Sequence, residues 1–405
     1  KHTVKFGGDF VNAEDYQNQL SNAAGTYTYP TFTAFAQDLT GNTTGAKRWT
    51  TFAQRFGNPI VDTTIKDVSL YVQDQFRVTQ RLTLNYGFRY EKQSFTQPTV
   101  ANPDYPAQTT HIPSYGKNFA PRFGIAYSMN NNKTVLRAGY GIFYARTPGG
   151  LINTFHLGNG VYQKQITLNS AVAADLALGP VFPAKLANID RNPPAGTIDL
   201  TVPDANLRNP YTQQGDVALE HEVTRDLGVT ASYIWSRGVQ LYTVRDLNVG
   251  ALGDPVTYRI NDASGNQVGT YTTPTYRLAN RVDTRWRSVN QVENGGRSYY
   301  DAMVLQMRKR YSKMWEGSIA YTWSHAIDLN QGGAGNNIFF SGRPTSLFNG
   351  NYGLDKSSSS LDQRHRFVGT AIFTPTFTKK TDKFSKYVVN GWQLSNIFTG
   401  ASTQP

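Results

Sequence analysis

The sequence predicts an all-β protein and, within that class, a large antiparallel transmembrane β-barrel. Aromatic residues make up 13% of the 405 residues, with 24 Tyr and 22 Phe, and 36 Gly accompany only 17% charged residues. This composition is typical of strands and turns and lacks the Ala, Glu, Lys and Leu enrichment of helical proteins. Two further patterns, the period of the strands and the lengths of the links between them, favour a barrel.

Eleven segments alternate apolar and polar residues with the period of a β-strand. In "RLTLNYGFRY" every second residue from Leu82 to Tyr90 is apolar, and the residues between them, from Thr83 to Arg89, are polar or Gly. Each segment is about ten residues long, the length that a tilted strand needs to cross a bilayer. The other ten segments are the stretch from Val4 to Phe10 and residues 67–78, 118–129, 134–145, 213–222, 227–235, 299–310, 315–324, 365–375 and 391–400.

The links between these segments alternate between short and long. Antiparallel neighbours joined in this way place every turn at one end of the sheet and every large loop at the other, which is the asymmetry of outer-membrane barrels with short periplasmic turns and long extracellular loops. A compact soluble fold has no reason to keep five such loops on one side. The short links are 78–81, 129–133, 222–226, 310–314 and the more modest 376–387, and the long links run approximately over 11–66, 91–117, 146–211, 237–297 and 325–362.

The alternation also predicts which side chains face the lumen of such a barrel. A charged side chain on the lipid face costs about 2–4 kcal/mol at mid-bilayer, so the apolar face should meet lipid. By this count four arginines point inward, where they could contact a plug or line a substrate path. Pairing with neighbouring wall residues such as Glu316, or simple solvation, is the alternative. The four predicted lumen-facing residues are Arg89, Arg122, Arg137 and Arg308.

Composition and motifs exclude several other classes of protein. No stretch approaches the roughly 18 apolar residues of a spanning helix, and the mean hydropathy of −0.47 is compatible with a barrel, whose strands spend only alternate positions on lipid. Cysteine is absent, and the net charge of +12 is spread without a long basic run, so nucleic acid is not expected as a partner. The six histidines form no metal-binding pattern. We therefore predict no enzyme, no catalytic or metal site and no cofactor.

Two readings without a membrane barrel stay open at this point. A soluble propeller or solenoid would need regular repeat lengths, whereas these link lengths are irregular. A secreted β-protein that binds glycans would leave cells in soluble form. The long links 146–211 and 237–297 mix aromatic residues with Asn, Asp, Thr and Arg, which suits recognition of a polar organic ligand and equally suits any exposed variable loop.

Two stretches carry a resemblance to a known family. "DVSLYVQDQFRVTQRLTLNYGFRYE" and "NFAPRFGIAYSMNNNKTVLRAGYGIFY" resemble two successive hairpins in the barrel of TonB-dependent receptors, and later segments such as "LDQRHRFVGTAIFTP" resemble the Oar-like branch. Barrels of this family have 22 strands. The resemblance therefore implies that residues 1–405 are part of one barrel domain, with about half of its strands, and that a signal peptide and a plug domain lie outside this chain.

The resemblance also implies a function and a set of partners. It implies an outer-membrane TonB-dependent transporter that takes up a solute such as a siderophore, glycan or peptide, located in the cell outer membrane. Its partners would be outer-membrane lipid and lipopolysaccharide, an extracellular solute and, through the plug, the TonB–ExbB–ExbD energy-coupling complex. The alternative is an outer-membrane barrel with a structural, adhesive or protein-export role and no energised uptake.

Overall fold

The computed structural model describes residues 1–129, 131–187, 195–250, 252–275, 280–329, 350–380 and 382–404. Its strands are β1 (His2–Asn18), β2 (Thr26–Thr28), β3 (Thr51–Gly57), β4 (Ile60–Arg77), β5 (Leu82–Phe95), β6 (Asn118–Met129), β7 (Thr134–Tyr144), β8 (Gln163–Asn169), β9 (Ile198–Pro203), β10 (Tyr211–Thr224), β11 (Leu227–Asp246), β12 (Gly253–Asn261), β13 (Gln267–Thr275), β14 (Trp286–Ser312), β15 (Trp315–Asp328), β16 (Ser357–Ser358), β17 (His365–Phe373) and β18 (Leu394–Ala401). The helices are α1 (Phe32–Leu39), α2 (Pro106–Thr109), α3 (Gly149–Leu157) and α4 (Ala173–Leu178), with a 3₁₀ turn at Tyr352–Asp355 and a π-helical turn at Ser385–Val389.

Eleven of the strands form one continuous antiparallel wall. Its order is β1-β4-β5-β6-β7-β10-β11-β14-β15-β17-β18, so every strand pairs with its predecessor in the wall. These are the eleven strands that the alternation of the sequence predicts. Among the described residues β1 and β18 each pair with one strand, so they are the two open edges of the wall.

Four wall hairpins close through tight turns at the same end. Asn131 and Asn132 take positive φ angles of 54° and 67° in the β6–β7 turn, a left-handed backbone conformation that Asn tolerates better than most residues. Lys313 and Met314 do the same between β14 and β15, at 50° and 70°. The fifth link at this end, 374–393 between β17 and β18, is longer than the predicted 376–387 and contains the π-helical turn.

The register of the wall separates its two faces. Phe6, Val72 and Phe88 lie opposite one another on three neighbouring strands, and large apolar side chains continue along this face, where Phe6 is 82% exposed and Phe123 50% exposed. We call this the apolar face. Residues of the alternate positions, such as Asn85 and Arg122, form the polar face.

Five wall strands, β1, β4, β11, β14 and β15, extend further than their alternating segments predict. The predicted long links 11–66, 237–297 and 325–362 were too long at their ends, since β1 runs to Asn18, β4 begins at Ile60, β11 runs to Asp246 and β14 begins at Trp286. These extensions are mostly paired with one another or with the loop-end sheet. They lie beyond the membrane-length part of the wall, where no lipid imposes the alternation that marks the rest of it. Most of 325–362 lies outside the described residues.

The long links fold into a second layer at the loop end, which we call the cap: β2, β3, β8, β9, α2 and α3. Strand β9 pairs in parallel with the beginning of β14, from Ile198 opposite Trp286 to Pro203 opposite Val292, and β8, β3 and β2 follow in antiparallel order. The hydrophobic core of the described residues lies here, in three clusters around Leu151, Leu200 and Phe52. The cap is therefore a folded body.

Helix α3 explains how the cap attaches to the wall. Leu151, Ile152 and Phe155 fall on one side of the helix, are at most 3% exposed, and pack with Ile65 of β4 and Phe95 of β5. By parity Ile65 and Phe95 belong to the polar face, which becomes apolar above the membrane-length part of the wall. Because each buried side chain of this kind stabilises by about 1.5–3 kcal/mol, α3 holds the cap over the polar face.

A buried polar network lies directly beneath α3, and we call it the polar belt: Gln93, Asn118, Thr147, Asn209 and Tyr242. The Nδ2 of Asn209 donates to Gln93 Oε1 at 2.9 Å and to Thr147 Oγ1 at 3.3 Å, and Asn118 Nδ2 donates to Asn209 Oδ1 at 3.1 Å. Thr147 and Tyr242 share a hydroxyl contact of 2.8 Å. The belt joins strands β5, β6 and β11 to the links that carry α3, so it fixes the cap in register with the wall.

Strands β12 and β13 form a separate hairpin in the link between β11 and β14. Tyr258 lies opposite Tyr271, and nearly every side chain of the hairpin is exposed. Within the described ranges no helix has the length and apolar character needed to span a membrane.

Candidate functional site: a groove on the polar face

The polar face carries an open groove of about 730 Å³ across β6, β7, β10 and β11. Its floor is made by Gly139 and Gly141 of β7. A methyl group at Gly139 would lie 2.8 Å from Asp216 Oδ1, and one at Gly141 would lie 3.0 Å from the ring of Phe143. The glycines therefore create the depth of the groove, because any side chain there would displace its lining.

Two opposite charges line this groove. The guanidinium of Arg122 stacks over the ring of Phe143, 4.5 Å from its centroid, which orients the cation and leaves its N–H groups free for a ligand. Asp216 lies two strands away on β10, a separation of roughly 10 Å at the usual strand spacing. Neither side chain forms an ion pair with any described residue.

Polar groups complete the lining around this pair. Gln214 and Ser236 lie in one transverse row with Arg122, and Tyr300 of β14 ends that row. The groove thus offers a cation, a carboxylate, an amide, a hydroxyl and an aromatic ring on one concave surface. Such a surface can hold a polar organic group that carries both signs of charge.

The other three predicted arginines lie on the same face but outside the groove. Arg89 contacts Glu91, donates to Ser69 Oγ at 3.0 Å and lies 3.6 Å from Asp9. Arg137 pairs with Glu220 at 2.9 Å across β7 and β10. These are the partners within the wall that the sequence analysis held open as the alternative.

Arg308 differs from the other predicted arginines. It is exposed, and among the described residues it has no ion pair, with Glu316 or otherwise. The register places it opposite Gly228 and Ser318, so it has small neighbours on both sides. The structure thus separates the four arginines into two that pair within the wall and two, Arg122 and Arg308, that do not.

A second pocket, of about 160 Å³, lies under the cap between β4, the link after β5, and α3. His156 of α3 lines it together with Asp62, Asn159 and Tyr162. The Nε2 of His156 donates to the carbonyl oxygen of Thr96 at 3.1 Å, because a carbonyl can only accept, and Nδ1 is therefore the acceptor. Burial lowers the pKa of His156 below its usual value, partly offset by the Thr96 carbonyl, so the imidazole is neutral at neutral pH.

In the parts of the chain that the structure describes, no group of three or more His, Asp or Glu side chains is placed to hold a metal ion. The six histidines stay dispersed. His221, for example, contacts Thr134 Oγ1 at 2.9 Å near a turn, and His365 contacts the hydroxyl of Tyr321 at 2.8 Å. Both contacts brace neighbouring strands.

An apolar outer face, a polar grooved face and tight hairpin turns at one end together define the wall of a membrane-spanning β-barrel. The sequence model of the family described as "Outer membrane beta barrel domain" matches residues 1–405. The chain belongs to this family, and the protein is located in the cell outer membrane. No curated protein matches the sequence.

The chain is similar to solved structures of outer-membrane transporters and receptors. The transporter YddB from Escherichia coli superposes with a TM-score of 0.52 at 11% identity, over 99% of this chain and 44% of its own. The FrpB iron transporter from Neisseria meningitidis superposes with a TM-score of 0.46 at 10% identity, and the match covers 93% of this chain and 38% of the transporter. The alcaligin receptor FauA from Bordetella pertussis superposes with a TM-score of 0.39 at 10% identity, and the match covers 87% of this chain and 42% of the receptor. The chain spans about two fifths of the length of these proteins.

Sequence reasoning found one half of the groove and missed the other. Arg122 was placed inward by alternation, whereas Asp216 was not singled out, because an acidic residue in a strand of unknown register has no visible partner. The signal that could have found it is the run of glycines at 139 and 141, since a strand Gly often marks a close approach or a cavity.

Proposed function

We propose that this protein is a TonB-dependent outer-membrane transporter and that the polar face of its wall lines the route of a solute. The single observation that carries the proposal is the groove in which Arg122 and Asp216 stand unpaired on one polar surface. A wall built only for support would neutralise such charges within itself, as Arg137 and Glu220 do. In this proposal Arg89, Arg122, Arg137 and Arg308 face the lumen.

The cap supports the same proposal. A folded body over the polar face restricts free diffusion, so passage through such a barrel requires a rearrangement and therefore an energy source. A plug outside this chain and the TonB–ExbB–ExbD complex would supply it. The short turns would lie in the periplasm and the cap at the cell surface, with lipid and lipopolysaccharide around the apolar face.

The solute that fits the groove is small, polar and amphoteric. Arg122 suits a carboxylate or another anionic group, Asp216 suits an amine, and Phe143 and Tyr300 offer ring surfaces. Short peptides have this combination of groups. We therefore place peptides ahead of siderophores and neutral glycans among the candidate solutes.

Uptake by cells tests the proposal. Cells lacking the gene are complemented with the wild type, with the double variant R122Q/D216N, or with the matched control R137Q/E220Q, which removes the same two charges from the paired site. We expect uptake of labelled short peptides to require both the gene and ExbB, and to fall about tenfold or more in R122Q/D216N but much less in the control. Peptide uptake that persists without ExbB, or that is equal in the two variants, would contradict energised transport through this groove and favour the structural, adhesive or export role.

A further inference from the structure

The link 374–393 between β17 and β18 exposes an unusual amount of apolar surface at the turn end of the wall. Single exposed apolar residues are common on proteins, but a contiguous group marks an interaction surface. We call this group the turn-end patch: Phe377 (65% exposed), Phe384 (65%), Tyr387 (71%), Val388 (51%) and Trp392 (62%). The Nε1 of Trp392 donates to the carbonyl oxygen of Val388 at 2.9 Å, so the indole is held in place.

The patch is continuous with the apolar face of the wall. The backbone N–H of Thr374 donates to the Met314 carbonyl oxygen at 2.8 Å, and the Thr374 hydroxyl donates to the Tyr311 hydroxyl at 2.9 Å. These bonds hold the beginning of the link beside the β14–β15 turn, where Trp315 lies opposite Phe373. Tyr311, Met314 and Trp315 are themselves 42–56% exposed. The patch therefore extends the lipid-facing surface around the end of the wall.

Positive charge surrounds the patch. The described residues at the turn end include eleven basic side chains against five carboxylates, Asp74, Glu222, Asp226, Glu316 and Asp382. Asp226 is already 3.5 Å from Lys309, which leaves the basic excess largely uncompensated. The basic residues are Lys1, Arg77, Arg81, Lys133, Arg225, Lys309, Arg310, Lys313, Lys379, Lys380 and Lys383.

We infer that the turn-end patch and its lysines bind the anionic headgroup layer of the phospholipid leaflet at this end of the barrel. Aromatic rings settle at the level of the headgroups. Lys379, Lys380 and Lys383 lie within a few residues of them, where their ammonium groups can meet the phosphates of anionic lipids. The inference rests on the proposed orientation, which places phospholipid at the turn end, but not on transport.

A lipid surface fits this region better than a protein partner. The aromatic residues and lysines lie along the same link, and its apolar part continues into the apolar face of the wall. A headgroup layer requires only this order of apolar and basic groups at one depth. A protein partner would instead require shape complementarity centred on a few pockets.

Lipid that copurifies with the protein tests the role of the lysines. The full-length protein is extracted from its own membranes in polymer-bounded nanodiscs, and the ratio of phosphatidylglycerol to phosphatidylethanolamine is measured by mass spectrometry. We expect enrichment of phosphatidylglycerol around the wild type and a several-fold loss of it in K379Q/K380Q/K383Q. The charge-matched control K117Q/K185Q/R259Q alters exposed residues away from this link and should keep the enrichment. Equal ratios in both triple variants would overturn the inference.

The depth of Trp392 tests the patch itself. The protein is placed in vesicles containing phospholipid brominated near the headgroup. The difference in tryptophan fluorescence between the wild type and W392F is the emission of Trp392. We expect that emission to be quenched by the brominated lipid and shielded from aqueous acrylamide. Quenching by acrylamide alone would place the patch in water or against a protein and would refute the inference. Heat-modifiable gel migration confirms that each variant is folded, and uptake of solute remains a separate readout, so a failure here leaves the transport proposal standing.

Discussion

The hydroxyl of Tyr86 donates a hydrogen bond of 2.7 Å to Asp74 Oδ2 across β4 and β5, and both residues lie on the apolar face of the wall. Asp74 also accepts from the backbone N–H of Thr3 at 3.1 Å and contacts His2 Nδ1 at 2.5 Å. The carboxylate is only 9% exposed. Polar contacts from the two flanking strands thus allow a carboxylate to lie near the turn end of a lipid-facing surface.

Removing the Tyr86 hydroxyl should destabilise the wall. In Y86F the Asp74 carboxylate keeps its other contacts but loses one donor in a poorly solvated position, which costs about 1–3 kcal/mol. We expect the free energy of unfolding in urea, measured in vesicles, to fall by that amount. The control is Y140F, on the same face, whose hydroxyl has no partner among the described residues. A loss as large in Y140F as in Y86F would show that the Asp74 contact is not the cause.

The two faces of β14 should respond oppositely to charge. Leu305 lies on the apolar face, 42% exposed and opposite Tyr321, and the next residue, Gln306, lies on the polar face. We expect L305R to lower stability in vesicles by about 2–4 kcal/mol, because the guanidinium would enter hydrocarbon. Q306R should change stability by less than about 1 kcal/mol, since its side chain stays in water. Refolding yield and urea unfolding measure the effect of each variant. A larger loss of stability in Q306R than in L305R would show that the two faces are assigned the wrong way round.

Sequence patterns predicted the wall because lipid forces alternation on it. Leu70 belongs to the series of apolar residues at every second position of β4, and Tyr90 belongs to the same kind of series in β5. The two residues lie opposite one another, as the pattern requires. Alternation sets only which face a residue occupies, and the register decides its partner. For this reason the face of the wall that Arg137 occupies was predictable, while its pairing with Glu220 rather than with a residue such as Glu316 was not.

The cap was not predictable because its residues do not contact lipid, so no alternation of apolar and polar residues is imposed on them. In β9, Leu200 and Val202 are fully buried, and the intervening Thr201 is 9% exposed, so both sides of the strand are covered and no period of two appears. Helix α3, which contains Leu151 and Phe155, begins with two glycines within a long link and is only nine residues long. Their burial depends on Ile65 and Phe95, which are far away in sequence.

The stability of the cap should depend on pH through His156. Its folded-state pKa is lowered by burial, while in the unfolded chain a histidine titrates near about 6.5. The unfolded cap therefore binds a proton first as the pH falls, so stability is complete above about pH 6.5 and declines below it, until the folded-state pKa is passed. Asp62, which lines the same pocket, is exposed.

Hydrogen exchange at α3 measures this dependence. After correction for the intrinsic exchange rate, protection of residues 149–157 should fall between pH 6.5 and 5 in the wild type. In H156Q, which keeps a side-chain donor for the Thr96 carbonyl but cannot titrate, protection should stay constant. An equal fall in H156Q would assign the effect to other groups, such as Asp62.

The absence of cysteine from the sequence makes the orientation of the wall directly measurable. Ser264 lies at the tip of the β12–β13 hairpin, where Asp262 Oδ1 accepts its backbone N–H at 2.9 Å, and Gln80 lies exposed in the β4–β5 turn at the opposite end. With a membrane-impermeant maleimide on intact cells, we expect S264C to be labelled and Q80C to be labelled only after the outer membrane is permeabilised. Each variant serves as the control of the other, because neither side chain takes part in packing. Labelling of Q80C alone would show that the barrel has the opposite orientation. The cap and its pocket would then lie in the periplasm, where capture of an extracellular solute could not begin.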